Sequence, residues 1–450
     1  ITNLVEQPTP ILGSFAERYL ELPAEILTTV MRKHQRYLPV RDPLGNLMPY
    51  FVAVANGSCD QDVVRAGNEA VLRARYEDAA FFWRADLHVA PDQMKRGLDR
   101  LAFEERLGSM ADRANRIANI VRAIALPGAT GTPLVVVTAQ DQDALARAAE
   151  LAKFDLASQM VTELTSLAGV MAREYARRAG EPETVSQALF EMELPRSAGD
   201  AIPQTTPGAL LALADRLDLL VGLFGIGASP TGSSDPFGLR RAALGVVSIL
   251  RALPTLREVT LSKGLAVAAD QFRRQGVELL ATAVEEAREF ILRRYEQQLL
   301  DAGHHHQLVA AVLPLAEAPA DADEALAELT RRADNPEFAE LVAALQRVRR
   351  IVPAGTVASY HPDKLTEPAE VALLDALRKV GAVVEENATL GEFADAATAL
   401  IDPINAFFDG VLVMAEDPDV RAARLGLLAA IRDLAATVLD WHTLGTSIGR

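Results

Sequence analysis

The side chains best placed to do chemistry in this 450-residue chain are basic, and they gather in separate places. "MRKHQRYLPVR" carries Arg32, Lys33, Arg36 and Arg41 with no acid among them. Tyr37 is interleaved there and has the ring needed to stack on an unpaired base. "VVRAGNEAVLRAR" adds Arg65, Arg73 and Arg75 against Glu69 alone, and "QRVRRI" adds Arg347, Arg349 and Arg350. In "SPTGSSDPFGLRRAALG", Asp235 suits an N-cap and Pro236 the first helical position, which predicts a helix from 236 onward. The first-turn amides of that helix, with Arg240 and Arg241, would suit an anion such as phosphate. The simpler reading of the same residues is a well-capped structural helix with solvated arginines, and each basic stretch alone is more often a solvated face than a nucleic-acid site.

Acidic chemistry is sparser. Asp155 in "LAKFDLASQM" and Asp215 and Asp218 in "LALADRLDLL" resemble, in spacing, the aspartates of His-Asp metal phosphohydrolases. Such enzymes need histidines as well, because their bound metal must polarise phosphate and activate water. Here Phe154 precedes Asp155, and no histidine lies between His88 and His304. No metal site is expected, and the aspartates are read as caps or ion-pair partners within a helical bundle. His304, His305 and His306 are consecutive, so on a helix they diverge by about 100° per residue and do not face one metal. A phosphate-binding Gly-rich loop, paired Cys-x-x-Cys and His-Glu-x-x-His are all missing from the sequence.

The elements that must position these residues follow from periodicity. Residues 24–34 read as a helix, "RYLPV" and "MPYFVAVAN" as strands joined by the turn "DPLGN", and 68–87 as a helix. Beyond residue 90, Ala, Leu, Glu and Arg dominate and strand signals nearly vanish. The expected fold class is therefore mainly α and multidomain, with a small α/β portion at the N-terminus. "LAEAPADADEA", 315–325, reads as an exposed loop, and the pairs Phe81–Phe82 and Phe407–Phe408 as core. The formal net charge of -16 is not that of a generally basic nucleic-acid binder, so any RNA contact must come from local patches. The single cysteine, Cys59, forms no internal disulfide, and with no apolar run of spanning length a cytoplasmic protein is expected. The chain opens on Ile1, which raises the expectation of further chain upstream.

Specific blocks carry a resemblance. "MRKHQRYLPVRDPLGNLMPYFVAVANG", "VVRAGNEAVLRARYEDAAFFWRADL", "ALADRLDLLVGLFGIGASPTGSSDPFGLRRAALGVVSILR" and "INAFFDGVLVMAEDPDVRAARLGLLAAI" resemble the bacterial glycyl-tRNA synthetase beta subunit, over its C-terminal two-thirds. The resemblance implies a tRNA-binding, non-catalytic subunit that recognises tRNA-Gly and works with an alpha subunit, separate or fused, in a heterotetramer. The alpha subunit would hold the ATP- and Mg-dependent active site, and this chain would need no cofactor of its own. It implies three parts: 1–88, the end of a mixed α/β synthetase-like domain; 89–262, a His-Asp-type helical domain, degenerate at Phe154, Asp155, Asp215 and Asp218; and 263–450, a helical anticodon-binding region like that of the arginyl enzyme. A phosphohydrolase, or a scaffold for the alpha subunit alone, are the competing readings.

Overall fold

The aromatic and β-branched residues Tyr50, Phe51, Val52 and Val54 suit Leu47–Asn56 to a strand, and that segment, β3, is the centre of a three-stranded antiparallel sheet. Strand β1 (Pro8–Ser14) pairs with one side of β3, Pro8 opposite Asn56 and Ser14 opposite Tyr50. Strand β2 (Leu38–Arg41) pairs with the other, Leu38 opposite Val52 and Pro39 opposite Phe51. The computed structural model describes residues 5–126, 133–384 and 388–444. β1 is not expected from the sequence because Pro8 and Pro10 interrupt it. It forms at an edge, where a residue without an N–H is tolerated. Period-two alternation turns Ile11, Phe51 and Ala53 inward and leaves Leu12 and Leu38 exposed.

Residues 24–34 are helical, but in two forms: an α-helical part, α1 (Ala24–Thr29), and a π-helical turn over Val30–His34. The helix α2 (Gln61–Asp86) starts earlier than the periodicity suggests, because Asp60 accepts hydrogen bonds from the amides of Asp62 and Val63. It buries Leu72, Tyr76, Ala79, Ala80 and Trp83, and the Tyr76 hydroxyl donates to the Leu27 carbonyl at 3.2 Å. Phe81, expected in the core, lies on the opposite face of α2 and is 60% exposed; Phe407 is fully buried.

The rest of the described chain is helical apart from a short hairpin, Ala102–Glu104 with Gly108–Ser109, whose few residues give no periodicity to read. A reciprocal capping box between Ser109 and Asp112 opens the helix Met110–Ala125. Thr206–Gly225 is apolar nearly all round and buried along almost its whole length, as a central core helix must be. Each of its buried leucines contributes about 1.5–3 kcal/mol relative to exposure.

The residues divide into two compact units. One comprises residues up to Ile249 together with Lys263–Ala287, and the other Leu250–Ser262 together with Arg288 onward. In the second unit the helices Pro319–Arg332, Pro336–Ile351, Pro368–Val383 and Pro418–Ala436 all open on proline, whose missing N–H is not needed there. The segment 315–325 is thus not a loop: from Pro319 it is helix, and Pro319, Ala322 and Ala325 are buried. Proline at the first position and Asp321 in the first turn start that helix, and alanines without side-chain entropy to lose continue it. The Trp441 ring packs on Phe338 and Phe393, and its indole N–H donates to the Ala435 carbonyl at 2.8 Å. No helix among the described residues is long and apolar enough to cross a membrane.

Candidate nucleic-acid interface

Whether a basic side chain is available to a ligand depends on what it already holds. At the N-terminus, Arg32, Lys33 and Arg36 are exposed, and none makes a hydrogen bond or ion pair among the described residues. Arg73 and Arg75 are likewise exposed on α2 without a carboxylate partner there. Arg65 is different: its Nε donates to the Leu12 carbonyl at 2.9 Å and its Nη1 pairs with Asp62 at 2.7 Å, so it ties α2 to the edge strand β1. Tyr37 offers no ring for stacking on a base. It is 7% exposed, and its ring is stacked on Phe51 with centroids 4.7 Å apart. That burial also pushes its hydroxyl pKa upward.

The central pair is placed otherwise than the sequence suggests. The helix begins at Leu239, not at Pro236. The Asp235 carboxylate accepts from the amides of Leu239 and Arg240 at 2.8 and 2.9 Å, so an internal anion already holds this helix start. Arg240 donates to the Gly232 carbonyl at 2.6 Å, across a turn closed by Thr231 and Ser234. Arg240 therefore helps fix the loop, while Arg241 stays exposed without an ion-pair partner. In the C-terminal group, Arg347 lies 4.5 Å above the Phe408 ring and 3.3 Å from Asp409, and Arg349 pairs with Asp440 at 2.5 Å. Arg350 is exposed and bonds only within its own helix.

The aspartates form a buried charge cluster whose basic partners the sequence reading missed. Arg113 and Arg116 on Met110–Ala125 face Asp215 and Asp218 on Thr206–Gly225. Arg113 Nη2 meets Asp215 at 2.9 Å, and Arg116 Nε meets Asp218 at 2.6 Å, both members of the second pair having no exposure. The signal was legible in outline: each helix carries its charges three residues apart, the spacing that puts them on one face. Arg116 also donates to the Leu107 carbonyl and Gln275, and stacks on the Phe272 ring at 4.2 Å.

Lys153 completes the cluster. Its ammonium bridges Glu193 at 2.7 Å and Asp215 at 3.0 Å. Burial would drive it toward the neutral form, but the two carboxylates hold its pKa up. Burial likewise works to raise Asp215, yet Lys153, Arg113 and Arg216 hold its carboxyl down at about 2. Asp155, beside the fully buried Phe154, accepts the Gly169 amide at 2.7 Å, and burial with the charge of Glu193 pushes it up to about 6. The positive charge that a metal would bring between Glu193 and Asp215 is supplied by Lys153. The donor set, carboxylates already held by Arg and Lys with no histidine, does not fit a binuclear metal. His304–His306 lie at the start of the helix His306–Val312, where His305 is the N-cap.

Residues 320–445, which lie within the second unit, match the model described as DALR anticodon binding domain, so that unit contains a helical domain of the anticodon-binding class. Residues 1–314 match the model described as glycyl-tRNA synthetase beta subunit, and the chain belongs to that family. Among curated relatives, it is 39% identical to the chloroplastic/mitochondrial glycine–tRNA ligase 2 of Arabidopsis thaliana, over 98% of this chain and 40% of that protein. It is 39% identical to the glycine–tRNA ligase beta subunit of Shouchella clausii, over 99% of this chain and 64% of that protein. The corresponding protein of Halalkalibacterium halodurans is 38% identical over 99% of this chain and 64% of its own length. The chain thus spans less than two-thirds of the length of these relatives.

Proposed function

We propose that this chain is the tRNA-binding part of a glycine–tRNA ligase beta subunit, corresponding to its C-terminal two-thirds, and recognises tRNA-Gly for aminoacylation at an alpha-subunit active site. The observation that carries the reading is the joining, in one chain, of the beta-subunit family match at 1–314 to an anticodon-binding module at 320–445. ATP and Mg would act at the alpha subunit, separate or fused, within a heterotetramer of cytoplasmic location, and this chain would need no cofactor. The division into 1–88, 89–262 and 263–450, with a degenerate His-Asp-type middle part, belongs to the same proposal. It is a functional division rather than one of packing, since Lys263–Ala287 packs with the first unit.

The contacts assigned to tRNA follow from side-chain availability. Arg241 is the phosphate-facing member of the central pair, and Arg350 the available cation of the C-terminal group. Filter binding of tRNA-Gly to the full chain tests this. The parent chain should bind tRNA-Gly, with affinity falling as salt rises. Arg241→Ala should weaken all tRNAs alike, and by more than Arg240→Ala if both remain folded. Arg347→Ala with Arg350→Ala should weaken tRNA-Gly more than a tRNA with another anticodon. Equal binding of both tRNAs to parent and variants removes the anticodon assignment. No salt-dependent binding by the parent removes the reading as a whole.

A further inference from the structure

The segment after the π-helical turn holds an unusual backbone choice. Arg36 has φ +57°, in the left-handed region, and with Lys153 is one of two non-glycine residues there among the described ones. Its neighbours explain the geometry. The amide of Tyr37 donates to the Met31 carbonyl at 2.9 Å, a closure one residue longer than that of the common left-handed helix C-terminal cap and suited to the π-helical turn it ends, and the Tyr37 ring anchors the chain on Phe51. In such a cap the left-handed position is usually glycine, because a Cβ there meets backbone sterically. Here it is an arginine, exposed and without a partner among the described residues. The cap alone would form better with glycine, so stability does not explain the side chain.

What surrounds it is basic. Arg32 and Lys33 lie on the preceding π turn, a helix form often found at functional sites, and both are exposed. No acidic residue occurs between Glu25 and Asp42, and Glu25 is itself held by Arg173 at 3.0 Å. Arg75 of α2 borders the same place, sharing with Val30 a small cavity that Asp78 and Glu163 also line, though Arg75 pairs with neither among the described residues. Other candidate cations are neutralised internally, as at Arg65, Arg347 and Arg349. On a body of net charge -16, several exposed cations that pair with no carboxylate among the described residues are where a polyanion is best received.

We infer that Arg32, Lys33 and Arg36, with Arg75 alongside, form a phosphate clamp for the ribose-phosphate backbone of tRNA, and that the left-handed backbone at Arg36 aims its guanidinium into it. The inference rests on the tRNA-binding reading but names a site in the first unit, remote in sequence from the anticodon-binding match. The clamp reads backbone charge and not base identity, because it presents cations without a base-edge pattern or a free aromatic ring.

The test uses the full chain, tRNA-Gly transcript as probe, and a series of salt concentrations. Arg36→Gly should raise the thermal midpoint, since the cap gains its preferred residue, while tRNA affinity falls several-fold at low salt. The slope of log K against log salt should become shallower by about 0.9 for each phosphate no longer neutralised, and by about 2.7 in Arg32→Ala/Lys33→Ala/Arg36→Gly. Arg36→Lys should retain most of the slope. The same weakening should appear with a tRNA of another anticodon. If the parent binds tRNA and the triple variant keeps the parent's slope, the clamp is wrong and the tRNA-binding reading stands. If the parent shows no salt-dependent binding, both fall together. An Arg36→Gly chain with a lowered thermal midpoint would overturn the argument from the cap.

Discussion

Replacing Asp218 by alanine should destabilise the first unit by about 3–5 kcal/mol, a large part of a typical domain's stability. The expectation comes from what remains. Without Asp218, the Arg116 guanidinium stays fully buried with only the Leu107 carbonyl, Gln275 and the Phe272 ring around it. A charge removed from water and left without its counter-ion loses far more than the net value of the pair. Arg116→Met combined with Asp218→Leu should recover much of that loss, because both charges then leave together and the core gains apolar volume. Urea unfolding of parent, single and double variants gives the comparison through the transition midpoint at unchanged slope. A loss below about 1 kcal/mol for Asp218→Ala would mean that Arg116 finds water or another partner, and the buried pair would not have the role given to it.

Asp155→Asn should stabilise the protein at neutral pH, and the gain should vanish in acid. Burial, then the charge of Glu193, raise the folded-state pKa of Asp155 from 3.8 to about 6. The unfolded chain therefore ionises first as pH rises. Below the unfolded value both states hold the proton and nothing is lost. Between 3.8 and about 6 the folded state alone keeps it, so stability falls as pH rises and levels off above about 6. A shift of this size corresponds to about 3 kcal/mol, which an uncharged isostere avoids. Asparagine keeps the side-chain oxygen that accepts the Gly169 amide, so that hydrogen bond survives. The groups facing Asp155 also include Lys153, which partly offsets Glu193, and the Tyr175 hydroxyl, whose pKa burial raises far out of the working range. Thermal or urea unfolding of parent and variant at pH 4 and pH 7.5 measures the difference. A gain that does not change between the two pH values would show that Asp155 does not titrate in this window.

The sequence by itself determined the elements with strong local periodicity and the blocks that place the chain in its family. The hairpin around "DPLGN", helix α2 and the helical character beyond residue 90 follow from turn residues and hydrophobic spacing, which act over a few neighbours. The helices that open on proline show the same local logic once Asn335 and Asp417 are recognised as N-caps. The spacing of Asp215 and Asp218 places two acids on one helix face, and its counterpart in Arg113 and Arg116 was equally present in the sequence. Only the tertiary structure decided that these faces meet, because packing across a core brings together residues about a hundred positions apart. It likewise gave β1 its place, since an edge strand with two prolines is stabilised by its partner and not by its own propensity. It also decided which cations are available. Tyr37 faces Phe51, Asp235 occupies its own helix start, and Arg347 and Arg349 are paired, while Arg32, Lys33 and Arg36 remain open to solvent. Local sequence shows that a residue is charged; its neutralisation depends on partners the chain brings from elsewhere, and that is a property of the fold.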